Sequence, residues 1–398
     1  MNMNAPAFAL PDDLVLPLEA PRRMPVRGLA DVPPERPPLA PPSVVVRRCA
    51  AVALTVLIVL GLGWVMVRGL AADGFGVPDL ALLTLYLPNV GWTGFAAATA
   101  LCGLVWSRSR RRSYDPLPGW VPRGRTAILV PARNERVADL EARLEGMRLD
   151  LARRGLSRHV DIFVLSDSDD PRIVRSEFGM ARAFACVSGN PPPVYYRRRT
   201  SNEGRKPGNI AEWVGRWGGA YEYMLLLDAD SRMSAERIAA MIAEMDTRPE
   251  LGLLQAGVRL TGSRTRLGGL LQRSTRLYGP AFTAGIAGWA GTEGNYWGHN
   301  ALVRVEAFSD AGGLPKLPGK APFGGNILSH DFVEAAWLRR AGWAVEIDPD
   351  TGGSAEGGPE TLTEFHKRDR RWCQGNLQHA GVLPARGLRC ASISPGVA

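Results

Sequence analysis

The sequence predicts an α/β domain built on a mostly parallel sheet and preceded by two transmembrane helices. Three observations predict it. Two long runs near the N-terminus carry no charge. Beyond them, short apolar runs alternate with helical patterns, as in strand–helix–strand units whose sheet is covered on both faces. Three of those runs end in polar clusters, and ligands of such sheets sit beyond the carboxyl ends of the strands.

Residues 1–46 are Pro-rich, with PPERPP at 33–38 and PP at 41–42, and read as a disordered cytoplasmic tail. Met1 is followed by no basic segment and apolar core, so no signal peptide is expected. Residues 47–107 hold the two helices. Cys49 to Val67 is uncharged, and as a helix it reaches roughly 28 Å, close to the thickness of a bilayer core. Leu80 to Trp106 is the second run, long enough to span with tilt although Pro88 and Asn89 lie inside it. Buried core helices are the alternative, but such helices rarely lack charge all round. Arg47 and Arg48 precede the first run, and Arg108, Arg110, Arg111 and Arg112 follow the second. The short connection holds Arg68, Asp73 and Asp79. The positive-inside rule therefore places both outer flanks, and the domain at 108–385, in the cytoplasm.

Within that domain the strand candidates are Thr126–Val130, Asp161–Leu165, Val194–Arg197, Tyr223–Leu227, Gly252–Ala256 and Leu302–Val305. Helices are expected at Val137–Arg153 and Ala235–Met245. PARNE (131–135) follows the first strand, SDSDD (166–170) the second and DADS (228–231) the fourth. Asp228 and Asp230 form a DxD, where two carboxylates can turn toward one Mg²⁺ or Mn²⁺ that takes its other ligands from water and a diphosphate. The competing reading of a lone DxD is a solvated turn. Lys206, beside a Gly turn, is placed to reach a phosphate. Arg197, Arg198 and Arg199 read rather as a solvated edge. His299, in GNYWGHN (294–300), reads more readily as a hydrogen-bonded structural residue than as a ligand group. Asp331 starts a helix over 331–341, where a capping role is favoured over that of general base. Arg368, Arg370, Arg371 and Trp372 crowd one segment, suited to a diphosphate and a sugar ring, or to an interfacial helix on anionic lipid.

Composition removes other classes. With 45% apolar and 22% charged residues the chain as a whole is not disordered. Its five cysteines form no CxxC and its five histidines no HExxH, which argues against disulfide scaffolds, zinc ribbons and zincins. The net charge is +9, yet only four of the 48 basic residues are lysine, a bias typical of GC-rich coding. Acidic strand ends and two spans argue against nucleic acid as partner.

Together these segments resemble the membrane-bound family-2 glycosyltransferases, which include cellulose and hyaluronan synthases. The motifs are Asn134 and Glu135 in PARNE, Asp167, the DxD of Asp228 and Asp230, Asp331 after Ser329 and His330, and Arg371 with Trp372 in RDRRW. RKPGNI, WGGAYEYMLLLDADS, GGNILSHDFVEAAWLRRAGW and KRDRRWCQGNLQH are similar to the glucans biosynthesis glucosyltransferase H family, over about residues 120–380. That resemblance implies a GT-A type nucleotide-sugar-binding domain in a bacterial inner-membrane enzyme of osmoregulated periplasmic glucan synthesis. UDP-glucose would be the donor, a β-1,2-linked glucan the acceptor and product, and the transfer inverting. Acyl carrier protein and a periplasmic glucan-processing protein are the partners it implies. Asp331 would be the general base, and Asp230, with Asp228, would hold the metal. Asn134, Glu135, Asp167, Lys206, Asp228, Arg371 and Trp372 would bind the donor. Arg368 stands where related synthases have glutamine. The family continues through further membrane helices, whereas residues 386–398 depart from its pattern and read as a truncation or a shifted reading frame. The alternatives are another family-2 polysaccharide synthase and an inactive nucleotide-sugar-binding fragment.

Overall fold

The computed structural model describes residues 16–31, 41–72, 74–109, 116, 119–186 and 191–388. PPERPP, Arg110 to Arg112 and the segment from 389 lie outside them. In chain order the elements are α1 (Pro42–Leu70), α2 (Val77–Ser109), β1 (Thr126–Ala132), α3 (Val137–Arg153), β2 (Val160–Ser166), α4 (Pro171–Cys186), β3 (Val194–Arg198), α5 (Arg205–Trp217), β4 (Tyr223–Leu226), β5 (Arg232–Met233), α6 (Ala235–Thr247), β6 (Leu251–Ala256), β7 (Arg259–Thr261), α7 (Arg266–Ala290), β8 (Ala301–Arg304), α8 (Val305–Ala311), α9 (His330–Arg340), β9 (Ala344–Asp348), β10 (Ser354–Gly357) and α10 (Leu362–Val382).

Seven strands form one sheet in the order β3-β2-β1-β4-β8-β6-β9. β8 runs antiparallel to β4 and β6, and the remaining pairs are parallel. This is the mostly parallel sheet expected of a GT-A type domain. Strand side chains alternate between faces, so each apolar run feeds two cores. Ile128, Ile162, Val164 and Leu225 pack on one face against Leu144 of α3, Phe178 of α4 and Ile242 of α6. Leu129, Phe163, Leu165 and Leu226 pack on the other against Trp213 of α5, Phe308 of α8 and Leu338 of α9. Phe163 stands edge-on to Trp213 with ring centroids 5.4 Å apart, an arrangement worth roughly 0.5–1.5 kcal/mol beyond its buried area. A second sheet, β5-β10-β7, follows the end of β4.

α1 and α2 are long and apolar enough to cross a membrane. Val56, Leu57, Leu60, Trp64, Leu85 and Val105 point outward from them. Small residues bring α2 against α7: Gly103 faces the Ala281 carbonyl and Gly285 the Thr99 carbonyl, so a Cβ at either would collide with backbone. Arg48 ties the start of α1 to the same helix, donating from Nε to the Trp289 carbonyl (2.9 Å) and pairing with Glu293 (2.8 Å).

The expectation of a disordered tail over 1–46 fails for residues 16–31. This stretch lies along the α5, α8 and α9 side of the domain. Ala20 N–H donates to the Arg216 carbonyl (2.8 Å), the Trp217 indole to the Pro17 carbonyl (3.1 Å) and Arg27 N–H to the Gly313 carbonyl (2.9 Å). Arg340 of α9 donates to the carbonyls of Gly28 and Asp31. Helix α1 also begins at Pro42, with proline at a first-turn position where no amide donor is needed.

Candidate active site

The carboxyl ends of β1, β2 and β4 converge as the sequence leads one to expect. Asn134, at φ 56°, latches two of them together. Its Oδ1 accepts from the Asp169 and Asp170 amides (3.1 Å each), and its own amide donates to Ser168 Oγ (2.9 Å). Ser166, Ser168 and Tyr196 donate in turn to the buried Glu177 carboxylate at 2.7, 2.7 and 2.8 Å. The Asn134 amide group is therefore committed to shaping the loop.

Asp167 receives Arg199 through two bonds, Nε–Oδ1 at 2.5 Å and Nη2–Oδ2 at 2.7 Å. Bidentate arginine fixes a carboxylate in direction as well as charge. The reading of Arg197 to Arg199 as a solvated edge is overturned here. Arg197 is 1% exposed and donates to the Asn209 carbonyl (3.0 Å), while Arg198 reaches the Ser168 carbonyl (3.2 Å). Periodicity missed this because each guanidinium finds a backbone or carboxylate acceptor supplied by a neighbouring element.

Lys206, in the first turn of α5, donates from Nζ to Asp228 Oδ1 and to the Gly298 carbonyl (2.7 Å). Burial opposes ionisation of Asp228, but Lys206 and His299 outweigh it and hold the carboxyl below its ordinary range. Asp230 goes the other way: burial and then the Asp228 charge push it up. Glu135 is raised by burial and by Asp230, against the opposing charge of Arg143. Glu356 of β10 joins the same field, raised by burial and held partly in check by His299. His299 bridges Glu356 Oε2 (3.1 Å) and Asn300 Oδ1 (3.0 Å); burial lowers it, but Glu356 and Asp228 raise it further. Sequence reasoning missed Glu356, since SAEGG carries no signal beyond one acidic residue.

Four carboxylates, Glu135, Asp228, Asp230 and Glu356, thus share one field with Lys206, His299, Arg143 and Arg368. Glu135, Asp230 and Glu356 are each raised by burial and by neighbouring acids while Asp228 is held down, and the hard oxygens of the set fit Mg²⁺ or Mn²⁺. Among the described residues no group of three His, Cys, Asp or Glu side chains is arranged to hold an ion alone. Water and a diphosphate would complete such a shell.

Asp331 lies in the first turn of α9 but does not cap it. The cap position is Ser329, and no side-chain capping bond forms there. Asp331 Oδ2 instead faces Gly298, where a Cβ would stand 3.4 Å away. Gly298 has φ 85°, so glycine serves both the turn and the approach. The open carboxylate and the Lys206–Asp228 pair therefore meet on the two sides of one glycine.

α10 holds that arrangement from behind. Gln378, buried, accepts from Leu328 N–H (2.8 Å) and donates to the carbonyls of Gly324 (3.1 Å) and Asn326 (3.0 Å). His379 Nε2 meets the Ser329 carbonyl at 3.0 Å, and Gly375 leaves no room for a Cβ against Ser329. The sequence singles out this QGNLQH stretch without revealing that it grips the loop before Asp331. Arg371 and Trp372 are exposed on α10. Arg368 is the arginine that acts on Glu356, stacked between Phe365 and Trp372 at 5.1 and 4.4 Å from their ring centroids.

Comparison with known proteins finds glycosyltransferases. Residues 223–393 match the family described as glycosyl transferase family group 2. The chain is 44% identical over 391 residues to glucans biosynthesis glucosyltransferase H of Xylella fastidiosa, covering 95% of this chain and 60% of that protein. It is 42% identical over 396 residues to the protein of the same description from Bradyrhizobium diazoefficiens, covering 98% of this chain and 52% of that one. The chain thus spans between half and two thirds of the length of these relatives. A mannosyltransferase from Pyrobaculum calidifontis, solved with GDP-Man and Mn²⁺, superposes with TM-score 0.48 at 15% identity, covering 76% of each chain. The resemblance read from the motifs is borne out by the relatives.

Proposed function

We propose that this chain, a relative of the glucans biosynthesis glucosyltransferase H proteins over 95% of its length, transfers glucose from UDP-glucose to a growing β-glucan with inversion. The observation that carries the reading is the open Asp331 carboxylate held beside the Lys206–Asp228 pair by Gly298. Asp167, fixed by Arg199, binds the uridine end of the donor, with Glu135 near it. Asp228, steered by Lys206, faces the diphosphate. Asp331 accepts the proton of the acceptor hydroxyl as that oxygen attacks the anomeric carbon, and UDP leaves from the opposite face. No covalent intermediate on the protein is required. Asp230 and Asp228 would hold a Mg²⁺ or Mn²⁺ ion, which supplies a positive charge against that developing on the leaving diphosphate. Arg368 and Arg371 add fixed positive charge from α10.

Helices α1 and α2 cross the inner membrane in this reading, with the catalytic domain in the cytoplasm. Arg48, bound to the domain at Glu293, puts the start of α1 on the domain side, in keeping with the positive-inside rule. The test is incorporation of labelled glucose from UDP-glucose by membranes carrying this chain, beside an Asp331→Asn control. Polymer made only by the parent chain supports the assignment. Incorporation from another nucleotide sugar alone would replace glucose as the transferred group. Equal incorporation by the variant would remove Asp331 as the base.

A further inference from the structure

A cavity of about 460 Å³ opens behind the end of β4, between α3 and the β5-β10-β7 sheet. Its floor is apolar, built from Val130, Leu140, Leu144, Met147, Leu227 and Met233. Arg143, Arg153, Arg232 and Arg259 also line it. Arg153 is paired with Asp150 at 3.3 Å. Among the described residues, Arg143, Arg232 and Arg259 have no carboxylate partner; Arg259 makes one neutral bond, Nε to Thr351 Oγ1 at 3.0 Å.

Two polar atoms on this wall are buried without a partner. One is Arg143 Nε. The other is Ser231 Oγ, on a residue only 6% exposed. Buried polar atoms are nearly always bonded, and a bound group that accepts from Arg143 Nε and bonds Ser231 Oγ would satisfy both. Asp150 and Asp228 also line the cavity, but Asp150 is paired with Arg153 and Asp228 with Lys206, and the planar forks of the other three guanidiniums match the phosphate oxygens of an occupant. The apolar floor specifies the rest of it. The cavity shares Asp228 with the donor side, but Asp167, Arg199 and Lys206 do not line it.

We propose that this cavity is a second ligand site, separate from the donor subsite, for a small molecule that joins a phosphate to an apolar or ring-bearing body. Arg143, Arg232 and Arg259 grip the phosphate, the Ser231 hydroxyl donates to it, and the apolar floor takes the body.

The probe is phenyl phosphate, titrated calorimetrically into the full chain in detergent with EDTA present, with and without saturating UDP. One-site binding should persist under UDP. Orthophosphate should bind about tenfold more weakly, and an Arg232→Ala/Arg259→Ala chain should lose about tenfold in affinity for the probe. Lys206→Ala should weaken UDP and leave phenyl phosphate unchanged, which separates failure of the donor reading from failure of this one. Absence of binding, displacement of the probe by UDP, or undiminished binding in the double variant would each overturn the proposal.

Discussion

Lys206 Nζ is shared between the Asp228 carboxylate and the Gly298 carbonyl, the latter at 2.7 Å. One ammonium group thus joins the DxD strand end to the loop that faces Asp331. Replacing it with methionine removes the first of the charges that hold the Asp228 carboxyl below its ordinary range, and leaves a carbonyl unpaired. UDP affinity and kcat/KM of Lys206→Met should both fall at least about tenfold, since a charge-assisted bond is worth roughly 1.5–3 kcal/mol. Equal values for parent and variant would mean that the contact has no part in donor binding.

Asp331 makes no capping bond to its helix. Asp331→Asn should therefore melt close to the parent chain and retain UDP binding. Its turnover should drop by about 10²–10⁴-fold, the range expected for loss of a general base. A large fall in melting temperature would instead assign Asp331 a structural task.

Gln378 satisfies one amide and two carbonyls of the loop before Asp331. Gln378→Ala strands those groups at a cost of about 1–3 kcal/mol. The expected signature is a lowered kcat with the UDP dissociation constant retained, because the donor side is built by other elements. Gly375→Ala, which forces a Cβ onto Ser329, should show the same split. Loss of UDP binding in both variants would show that α10 supports the whole domain rather than this loop.

His330 sits buried against Glu334 at 3.0 Å. Burial lowers its pKa, but the Glu334 carboxylate outweighs that and raises it above 6.5. A raised histidine contributes stability that is full below the unfolded value and lost as pH climbs through the folded one. Thermal stability should therefore decline from pH 6 toward the alkaline side, and His330→Gln should flatten that decline. Parallel profiles for the two chains would exclude the pair as its source.

EDTA should abolish transfer, and Mg²⁺ or Mn²⁺ should restore it. Asp230→Asn should demand more metal for half-maximal rate, because it removes one hard oxygen ligand. A rate untouched by chelation would remove the ion from the reaction.

The strand ends were legible because β1, β2 and β4 are unbroken apolar runs that stop at polar clusters. β9 was not, since Glu346 and Asp348 interrupt its apolar pattern. Both are buried, neutralised by Arg248 at 2.6 Å and Arg237 at 2.9 Å, partners supplied from α6 and the turn after it. The 16–31 stretch was hidden for a different reason. It docks largely through backbone groups and arginines, which leave no apolar period to read. Asp331 was visible as a residue but not as an open one, because capping by a nearby residue is decided by loop geometry. The composition of α10 pointed to its arginines, while its grip on the Asp331 loop rests on Gln378, His379 and Gly375.

Arg48 is bonded to Glu293, and Glu293 is six residues from His299. Even fully extended, that chain spans only about 20 Å. Such a leash limits how far the His299 loop can stand from the start of α1. The loop that faces Asp331 is thereby kept within that reach of the start of α1, and the domain has no slack with which to drift away from its two apolar helices.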